Sequence, residues 1–341
     1  MPSPKDIQVA IVILNWNGKK YLEKFLPVLQ NNLPSFAKIV IADNQSSDDS
    51  VAFMTKVYPQ IETIINSGNE GFAKGYNLAL EQIKTPYYIL LNSDIEVTPN
   101  WIEPLYDLME SDPSIGVCQP KILSYDKKTH FEYAGAAGGF IDYMGFPFCR
   151  GRLFADLEED LGQYDSVEEI FWATGAAMMV RSKIYWEAGG LDEDFFAHQE
   201  EIDLCWRAFN KGHIIKYNSH SVVYHVGGAT LQQGNSKKTE LNFRNSLLML
   251  AKNLPENRFL AVIFVRLVLD GIAAVQFLFQ GKAKHTWAIL KAHLSFYGLF
   301  YRHFKKRGEF QSEKYYKTKS IVYLYFINKI KVFSAIFVAT K

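Results

Sequence analysis

An aspartate stands at the point where a buried strand is expected to end. The stretch YYILLNSDIEVTPNW (87–101) begins as an apolar run and turns after Leu91 into Asn92, Ser93 and Asp94. Aspartate is a poor strand former, and burying its charge without a partner is costly, so its position needs a reason. Either Asp94 caps a turn, or it offers an oxygen ligand to a divalent cation.

The elements around this stretch alternate between strand and helix. Apolar runs at 9–16, 37–43 and 61–66 and the run that precedes Asn92 predict four strands. Helical spacing at 19–30 and 71–83 predicts helices between them. Repeated βαβ units of this length predict a mostly parallel sheet covered by helices.

Polar residues follow three of these strands. Asn15 follows the first strand, Asp43 the second, and the Asn92–Asp94 group the fourth. Each break could be ordinary turn chemistry. Because parallel strands bring their carboxyl ends to one edge of the sheet, where ligands bind, the three breaks together predict a site.

Composition excludes several classes of protein. A hydrophobic content of 48% and an aromatic content of 15% exclude intrinsic disorder in this 341-residue chain. The three cysteines are scattered without a CxxC pair, which favours a reducing compartment and argues against a structural zinc site. The N-terminus carries no signal-peptide pattern, so we expect a cytoplasmic protein.

Charge divides the chain into two parts. Residues 1–240 carry 20 Lys and Arg against 32 Asp and Glu, whereas residues 241–341 carry 17 against 4. We therefore expect two units, 1–242 and a basic, apolar helical extension at 243–341. A basic, apolar tail favours an anionic membrane surface as partner, and no nucleic-acid partner is expected.

The extension contains helices with aromatic, apolar faces flanked by Lys and Arg. The segment 258–282 is long enough to span a bilayer but carries Arg266, Asp270 and Gln276. Charge at mid-bilayer is costly, so a helix lying in the membrane interface is favoured over one crossing it. Alternatively, these helices pack on the first unit or form a dimer interface.

Six segments resemble, in order, the motifs of the family 2 glycosyltransferases with the GT-A fold, particularly the rhamnosyltransferase-like members that build bacterial surface polysaccharides. The segments are VAIVILNWNG, IVIADNQSSDDS, NEGFAKGYNLAL, YILLNSDIEV, ATGAAMMVRS with GGLDEDFFAHQEEIDLCWRAFNKGH, and VVYHVGG. Each signal is weak alone, but their order over residues 8–230 makes the resemblance specific. It implies a Rossmann-like α/β catalytic domain.

The resemblance assigns roles around Asp94. YILLNSDIEV resembles the DxD metal motif, so Asp94 is expected to hold Mg²⁺ or Mn²⁺ against a departing diphosphate. Asn92 stands in place of the first acid and, with Ser93, is expected to contact the nucleotide or sugar. His225 is expected to approach the metal or the diphosphate; it could instead be structural.

The resemblance also places a nucleotide along this edge of the sheet. Asp43 is expected to accept a hydrogen bond from a uracil or thymine base, with Asn15 nearby, although it could instead cap the helix that follows it. Asn69 and Asn77 are expected to face the nucleotide, or to be ordinary turn and helix-face amides.

Inverting transfer needs a carboxylate that takes a proton from the acceptor hydroxyl. The catalytic aspartate of the family corresponds to Glu201 here, with Glu200 as its rival. Alternatively, the acids at this predicted helix start serve only the helix dipole.

The acceptor side is expected to be lined by Trp172, Thr174 and Gly175, because aromatic faces suit sugar rings. Asp203 is assigned to the same side as an orienting or structural acid. Trp172 could equally be a core residue.

The sequence therefore predicts a metal-dependent inverting glycosyltransferase, peripheral on the inner face of the cell membrane. Its donor would be a nucleoside-diphosphate sugar, with dTDP-rhamnose favoured by the subgroup, and its acceptor a saccharide or lipid-linked saccharide. A sugar nucleotidyltransferase is disfavoured because no GxGxR loop follows the first strand. A non-catalytic carbohydrate-binding scaffold is the other alternative, favoured only by the reduced metal motif and by glutamate at position 201.

Overall fold

The computed structural model describes residues 7–227 and 234–339. The strands in this part of the chain are β1 (Val9–Asn15), β2 (Ala37–Asp43), β3 (Glu62–Ile65), β4 (Tyr87–Asn92), β5 (Ile95–Val97), β6 (Ile115–Ser124), β7 (Gly139–Ile141), β8 (Pro147–Cys149), β9 (Arg152–Leu153), β10 (Asp156–Leu157), β11 (Val167–Ile170), β12 (Ala177–Arg181) and β13 (Ile214–His225). The helices are α1 (Lys19–Asn31), α2 (Ser50–Val57), α3 (Gly71–Leu80), α4 (Glu103–Ser111), α5 (Ser182–Glu187), α6 (Glu200–Asn210), α7 (Ser236–Asn253), α8 (Glu256–Phe279), α9 (Ala283–Lys305), α10 (Ile321–Phe326) and α11 (Ala335–Ala339). A 3₁₀ turn at Glu193–Phe195 precedes α6.

One large mixed sheet forms the centre of the molecule. Its order is β11-β13-β6-β12-β4-β1-β2-β3, with β5 paired to β13 outside this path. The first four strands along the chain are parallel, and Asn15 lies opposite Asp43 in the β1–β2 register. Strands β1, β2 and β4 are buried on both faces, which explains their nearly continuous apolar sequences. The predicted βαβ alternation is confirmed.

A small antiparallel sheet, in the order β10-β9-β8-β7, covers one side of the large one. Trp172 joins the two, because its ring packs against Gly139 and its indole N–H donates to the Phe140 carbonyl at 2.9 Å. A Cβ at position 139 would lie 2.0 Å from that ring, so the strand β7 can pack this closely against Trp172 only because residue 139 is glycine.

The C-terminal helices pack on this α/β unit. The expected boundary between residues 242 and 243 falls inside α7, whose second half is buried from Asn245 to Asn253. Residues near the C-terminus, among them Tyr315 and Phe333, belong to the same hydrophobic cluster as the core of the large sheet. The extension is thus continuous with the core of the first unit.

Helix α8 buries two charged side chains of its middle and exposes many of its large apolar ones. Arg266 and Asp270 are buried, and Arg266 donates to the Ser246 hydroxyl at 2.6 Å and to the Met144 carbonyl at 3.0 Å. His293 of α9 lies 3.2 Å from the Asp270 carboxylate. The exposed apolar residues of α8 are Leu260, Phe264, Val268, Ile272, Val275, Leu278 and Phe279.

Helix α8 is the one helix of the described ranges that is long and apolar enough to cross a membrane. Its most apolar window has a mean hydropathy of 2.1, and 28% of that window is buried in the protein. Helix α9 adds a second exposed apolar surface beside it. The residues of that surface are Trp287, Leu290, Leu294, Tyr297 and Tyr301.

Candidate active site

The ends of β1 and β2 form a hydrogen-bonded corner. Asn15 Nδ2 donates to Asp43 Oδ2 at 2.8 Å and to the Ser46 hydroxyl at 3.1 Å, and Asp43 accepts from the Ser46 N–H at 2.7 Å. Asp43 therefore closes a turn with Ser46 but does not cap α2, whose N-cap residue is Asp49. Asn15 Oδ1 is buried and accepts no hydrogen bond from the described atoms. A Cβ at Gly18 would lie 2.3 Å from this oxygen, so only glycine leaves it room.

The two asparagines of the third motif have different surroundings. Asn69 is exposed, and its side chain accepts from the Gly71 N–H at 3.2 Å, which is turn chemistry. Asn77 is buried and joins α3 to the segment before α6. Its amide donates to the Leu191 carbonyl at 2.8 Å and accepts from the Tyr185 hydroxyl at 2.7 Å. With its polar atoms used in packing, Asn77 fits the alternative of a structural amide.

Strand pairing brings Asp94 to His225. Asp94 follows β4, and the next residue, Ile95, lies directly opposite His225 in the β5–β13 pair. His225 Nε2 is 3.2 Å from Asp94 Oδ1, and Asp94 Oδ2 accepts from the Gly227 N–H at 3.1 Å. Both side chains are buried. Two residues that are 131 positions apart in the sequence therefore meet at the edge of the sheet, as the motif order implies.

Glu132 completes this group, and sequence reasoning missed it. Its carboxylate lies 3.2 Å from His225 Nδ1, and its backbone is fixed at the end of β6 by a hydrogen bond to the Ile122 carbonyl at 3.1 Å. No motif marks this residue. From the sequence one can expect only that a metal-binding histidine has a hydrogen-bond acceptor at its second nitrogen. That expectation does not identify Glu132 among the acids of the chain.

The charges of the group are strongly coupled. Burial alone would lower the pKa of His225, but the carboxylates of Glu132 and Asp94 raise it to about 10. Although burial opposes it, the hydrogen bond from His225 lowers the pKa of Asp94 below its ordinary value. Asn92 Nδ2 lies 3.4 Å from His225 Nε2, and the Ser93 hydroxyl lies close to Gly18. Asn92, Ser93, Asp94 and His225 are thus neighbours.

The donor set fits a hard divalent cation. Asp94 Oδ1 and His225 Nε2 are 3.2 Å apart. Two adjacent ligands of an octahedral ion with bonds of about 2.1 Å are separated by about 3 Å, so one ion could take both. Glu132 would hold the second imidazole nitrogen, which is the arrangement that orients metal-bound histidines. A cation there would replace the proton that the metal-free histidine carries on Nε2.

Glu200 and Glu201 open α6 after a strained turn. The backbone has positive φ at His198 (73°) and Gln199 (71°), which non-glycine residues seldom adopt. One carboxylate oxygen of each glutamate is buried and accepts no hydrogen bond from the described atoms. Burial raises the pKa of Glu201 to about 7 and that of Glu200 well above its ordinary value, with the neighbouring carboxylate adding to the latter. A carboxylate with a pKa near neutrality suits proton transfer.

The four residues predicted on the acceptor side have different surroundings. Gly175 lies beside Glu201, because a Cβ there would be 3.7 Å from Glu201 Cβ. Thr174 is buried and its N–H donates to Gln119. Trp172 is 4% exposed, and because sugar stacking needs an open ring face, the structure favours its alternative as a core residue. Asp203 is fully buried and binds Arg207, Lys252 and Asn253, so it is a structural acid.

One further acidic group has the spacing of a metal site. Ligand atoms of Asp192, Asp194 and His303 lie within 4.8 Å of one another. Lys252 is 2.5 Å from Asp192, and Lys306 is 2.7 Å from Asp192 and 2.8 Å from Asp194. A metal ion would have to displace these ammonium groups. We interpret the group as an ion-pair network that fastens α7 and α9 to the segment before α6.

Comparisons with known proteins identify the family. A model of the family described as "Glycosyl transferase family 2" matches residues 10–188, more than half of the chain. The low-salt glycan biosynthesis hexosyltransferase Agl10 of Haloferax volcanii is 23% identical over 81% of this chain and 87% of its own length. The N-acetylglucosaminyl-diphospho-decaprenol L-rhamnosyltransferase of Mycobacterium tuberculosis is 23% identical over 65% of this chain and 77% of its own.

A solved structure shares the fold. GalNAc-T7, solved with UDP, GalNAc and Mn²⁺, superposes with a TM-score of 0.58 at 16% identity, over 74% of this chain and 49% of that one. At this identity the likeness shows the fold alone, and it confirms the predicted GT-A architecture. The chain belongs to the family 2 glycosyltransferases, and among its relatives are a hexosyltransferase and a rhamnosyltransferase.

Proposed function

We propose that this protein is a metal-dependent inverting glycosyltransferase with Glu201 as its general base. The observation that carries the proposal is that residues 174–176 touch both halves of the site. The Ala176 carbonyl accepts from the Asn92 N–H at 2.9 Å, and Gly175 faces Glu201. A proton acceptor and a metal-binding edge are therefore separated by one short segment.

The residues have distinct roles in the proposed reaction. Asp94 and His225 would hold a divalent cation, and Glu132 would orient His225. A cation bound there would supply positive charge against the departing diphosphate. Asn15, Asp43, Asn92 and Ser93 line the nucleotide side.

The bond changes at the sugar balance without a further reactant. The acceptor oxygen attacks the anomeric carbon from the face opposite the diphosphate and forms the new glycosidic bond. The bond from that carbon to the phosphate oxygen breaks, and its electron pair leaves with the nucleoside diphosphate. The hydroxyl proton passes to Glu201. Its raised pKa, about 7, makes it a stronger base than an ordinary carboxylate and leaves a substantial fraction ionised at neutral pH.

The named relatives support the choice of donor and acceptor classes to test. One relative is named as an L-rhamnosyltransferase that uses a diphospho-decaprenol-linked sugar, so dTDP-rhamnose and a lipid-linked saccharide are the first substrates to test. The other is named as a hexosyltransferase of glycan biosynthesis, which keeps UDP- and GDP-hexoses in the panel. We place the reaction in cell-surface polysaccharide synthesis.

The apolar surfaces of α8 and α9 support a site at the membrane. They expose aromatic and aliphatic side chains beside Lys282, Lys284, Lys291 and Lys305, all of them solvent-exposed. Because Arg266 and Asp270 point into the protein, neither charge would have to leave water if this surface entered a membrane. If α8 and α9 lie in the interface of an anionic membrane, their apolar side chains enter the lipid and their lysines meet the anionic headgroups. This arrangement would bring Glu201 to a lipid-linked acceptor.

The test is a screen for released nucleoside diphosphate across dTDP-, UDP- and GDP-sugars with Mn²⁺ or Mg²⁺ and a polyprenyl-diphosphate sugar. Asp94→Ala and Glu201→Gln should each lower turnover by about 10²–10⁴-fold, the range for a lost catalytic group. Asp107→Asn, an exposed acid on α4, is the matched control. Full turnover in both site variants would refute the mechanism.

A further inference from the structure

The turn that carries the proposed base adopts a costly backbone conformation. Phe196, His198 and Gln199 all have positive φ (64°, 73° and 71°), directly before Glu200 and Glu201. Non-glycine residues are strained in this region, so surrounding contacts must hold them. The N–H of Phe72 holds one side of the turn, donating to the Phe196 carbonyl at 2.6 Å.

Helix α7 holds the other side through one side-chain amide. Asn245 Nδ2 donates to the carbonyls of Phe195 at 3.0 Å, Ala197 at 2.9 Å and His198 at 2.8 Å. Asn245 has no exposed surface. Three carbonyls of one turn converge on this single NH₂ group, so its position determines the path of the backbone.

Arg244 fixes the orientation of that amide. Its Nε donates to Asn245 Oδ1 at 2.9 Å, so the NH₂ group must face the turn. Its Nη2 donates to the carbonyls of Asp194 at 2.8 Å and Phe195 at 3.0 Å. Two adjacent residues of α7 therefore satisfy four carbonyls of the segment 194–198.

The interactions of the Glu201 carboxylate are with backbone groups of its own segment, at Gln199, Glu201 and Ile202. Glu201 Oε2, Glu200 Oε2 and His198 Nε2 are buried, and none of them has a hydrogen-bond partner among the described atoms. The direction of the base is then set mainly by the backbone that leads into α6. We propose that Asn245 is a positioning residue, whose amide holds the 195–199 turn so that Glu201 faces the acceptor hydroxyl.

The inference rests on the proposed function and adds to it. It makes α7, which crosses the expected domain boundary, a part of the catalytic apparatus. The docking of α7 has separate support, because Lys252 pairs with Asp192 and Asp203, and Asn253 binds Asp203. Loss of the Asn245 amide can therefore loosen the turn while the helix stays in place.

The experiment compares the activities of Asn245→Leu and Asn253→Leu in the full chain. It is done at a temperature at which circular dichroism shows both variants to be folded. Asn253 is an equally buried amide on the same helix that does not touch the turn. We expect kcat to fall about 100-fold in Asn245→Leu, as for a small misplacement of a catalytic group, with the donor KM changed less than about threefold. The pH inflection of kcat/KM should also move towards that of an ordinary glutamate, since a loosened turn admits water to Glu201. Asn253→Leu should change neither.

Several outcomes would overturn the inference. One is an Asn245→Leu enzyme with kcat within threefold of the parent and the same pH profile. Another is an equal loss in Asn253→Leu. If Asn245→Leu does not fold, Arg244→Met is judged by the same criteria. Glu201→Gln, assayed in parallel, separates the two proposals: if it is fully active, the base assignment fails, whereas an inactive Glu201→Gln beside a fully active Asn245→Leu overturns only the positioning role.

Discussion

Glu201 is a carboxylate whose surroundings favour its protonated form. It begins a helix, where the dipole would favour ionisation, yet burial has the larger effect and raises its pKa to about 7. Burial also raises the pKa of Glu200 beside it, and repulsion from the Glu201 carboxylate adds to this rise. A pair of this kind releases its protons in two coupled steps, so the pH profile reports the pair.

The first prediction concerns that profile. A base must be deprotonated to act, so kcat/KM should rise with pH and level off above about 7, the pKa of Glu201. Steady-state rates between pH 5 and 9, with metal and donor saturating, measure it. Glu200→Gln should leave the inflection near 7, because burial rather than a charge on Glu200 raises the pKa of Glu201. A rate that is already constant above pH 5 would contradict the assignment of this pair.

Glu132 illustrates a residue whose importance depends on a contact rather than on a motif. Its carboxylate and that of Asp94 lie on opposite sides of the His225 ring, each 3.2 Å from one nitrogen. One carboxylate can share a cation with the histidine, and the other can keep the ring oriented towards it.

The second prediction follows from this geometry. Glu132→Ala should weaken the affinity for Mn²⁺ by about 10–100-fold, the usual effect of removing such a partner, without changing the nucleotide side of the site. Titration calorimetry with Mn²⁺, and activity as a function of free Mn²⁺, would measure it. Asp126→Asn, an exposed acid in the loop after β6, is the control. Equal Mn²⁺ affinity in Glu132→Ala and the parent would rule out the orienting role.

At the scale of elements, α7 joins the two parts of the chain. Its N-terminal half lies beside the site, and its C-terminal half is buried between α6 and α9. The charge asymmetry of the sequence indicates where composition changes, but composition does not show which face of a helix is buried. That is why the expected boundary falls within this helix.

The third prediction is that a chain ending at residue 242 does not fold. The cut removes Asn245, Lys252 and Asn253, and it leaves Asp203 buried with Arg207 as its remaining partner. Removing one side of a buried charge network costs about 3–5 kcal/mol, and the lost apolar contacts add to this. Circular dichroism and size-exclusion chromatography would test it. A monodisperse fragment with cooperative unfolding would show that the first 242 residues form a separate domain.

At the scale of the whole molecule, sequence and structure agree where a pattern is local. The strands β1, β2 and β4 and the helix α1 follow from apolar runs and helical spacing, and the sheet edge that joins Asn15, Asp43 and Asp94 follows from the parallel order. Contacts between distant segments could not be derived in this way. Glu132 meets His225, and Asn245 meets the 195–199 turn, only through the folded arrangement of β6, β13 and α7.

The same limit applies to the C-terminal helices. Their sequences predict amphipathic surfaces, and the structure shows their direction: in α8, Arg266 and Asp270 face the protein, whereas several large apolar side chains, among them Phe264, face outward. A water-soluble helix has the opposite arrangement. Phe279 is 86% exposed and Phe264 69% exposed, so a large apolar surface lies beside a basic rim. Such surfaces mark an interaction site, and the net excess of Lys and Arg after residue 240 favours an anionic lipid surface over a neutral partner.

The fourth prediction tests that surface. The full chain should sediment with vesicles containing phosphatidylglycerol at low salt and less with phosphatidylcholine alone. Phe264→Glu combined with Leu294→Glu should abolish binding, because both face outward, whereas Leu161→Glu, which alters a side chain 79% exposed on the catalytic part, should not. Lys284→Gln and Lys291→Gln should each weaken binding about fivefold, since one basic residue near such a surface contributes about 1 kcal/mol. The membrane proposal is wrong if the parent protein does not bind anionic vesicles and instead forms a dimer that Phe264→Glu dissociates. In that case the apolar surface joins two copies of the chain.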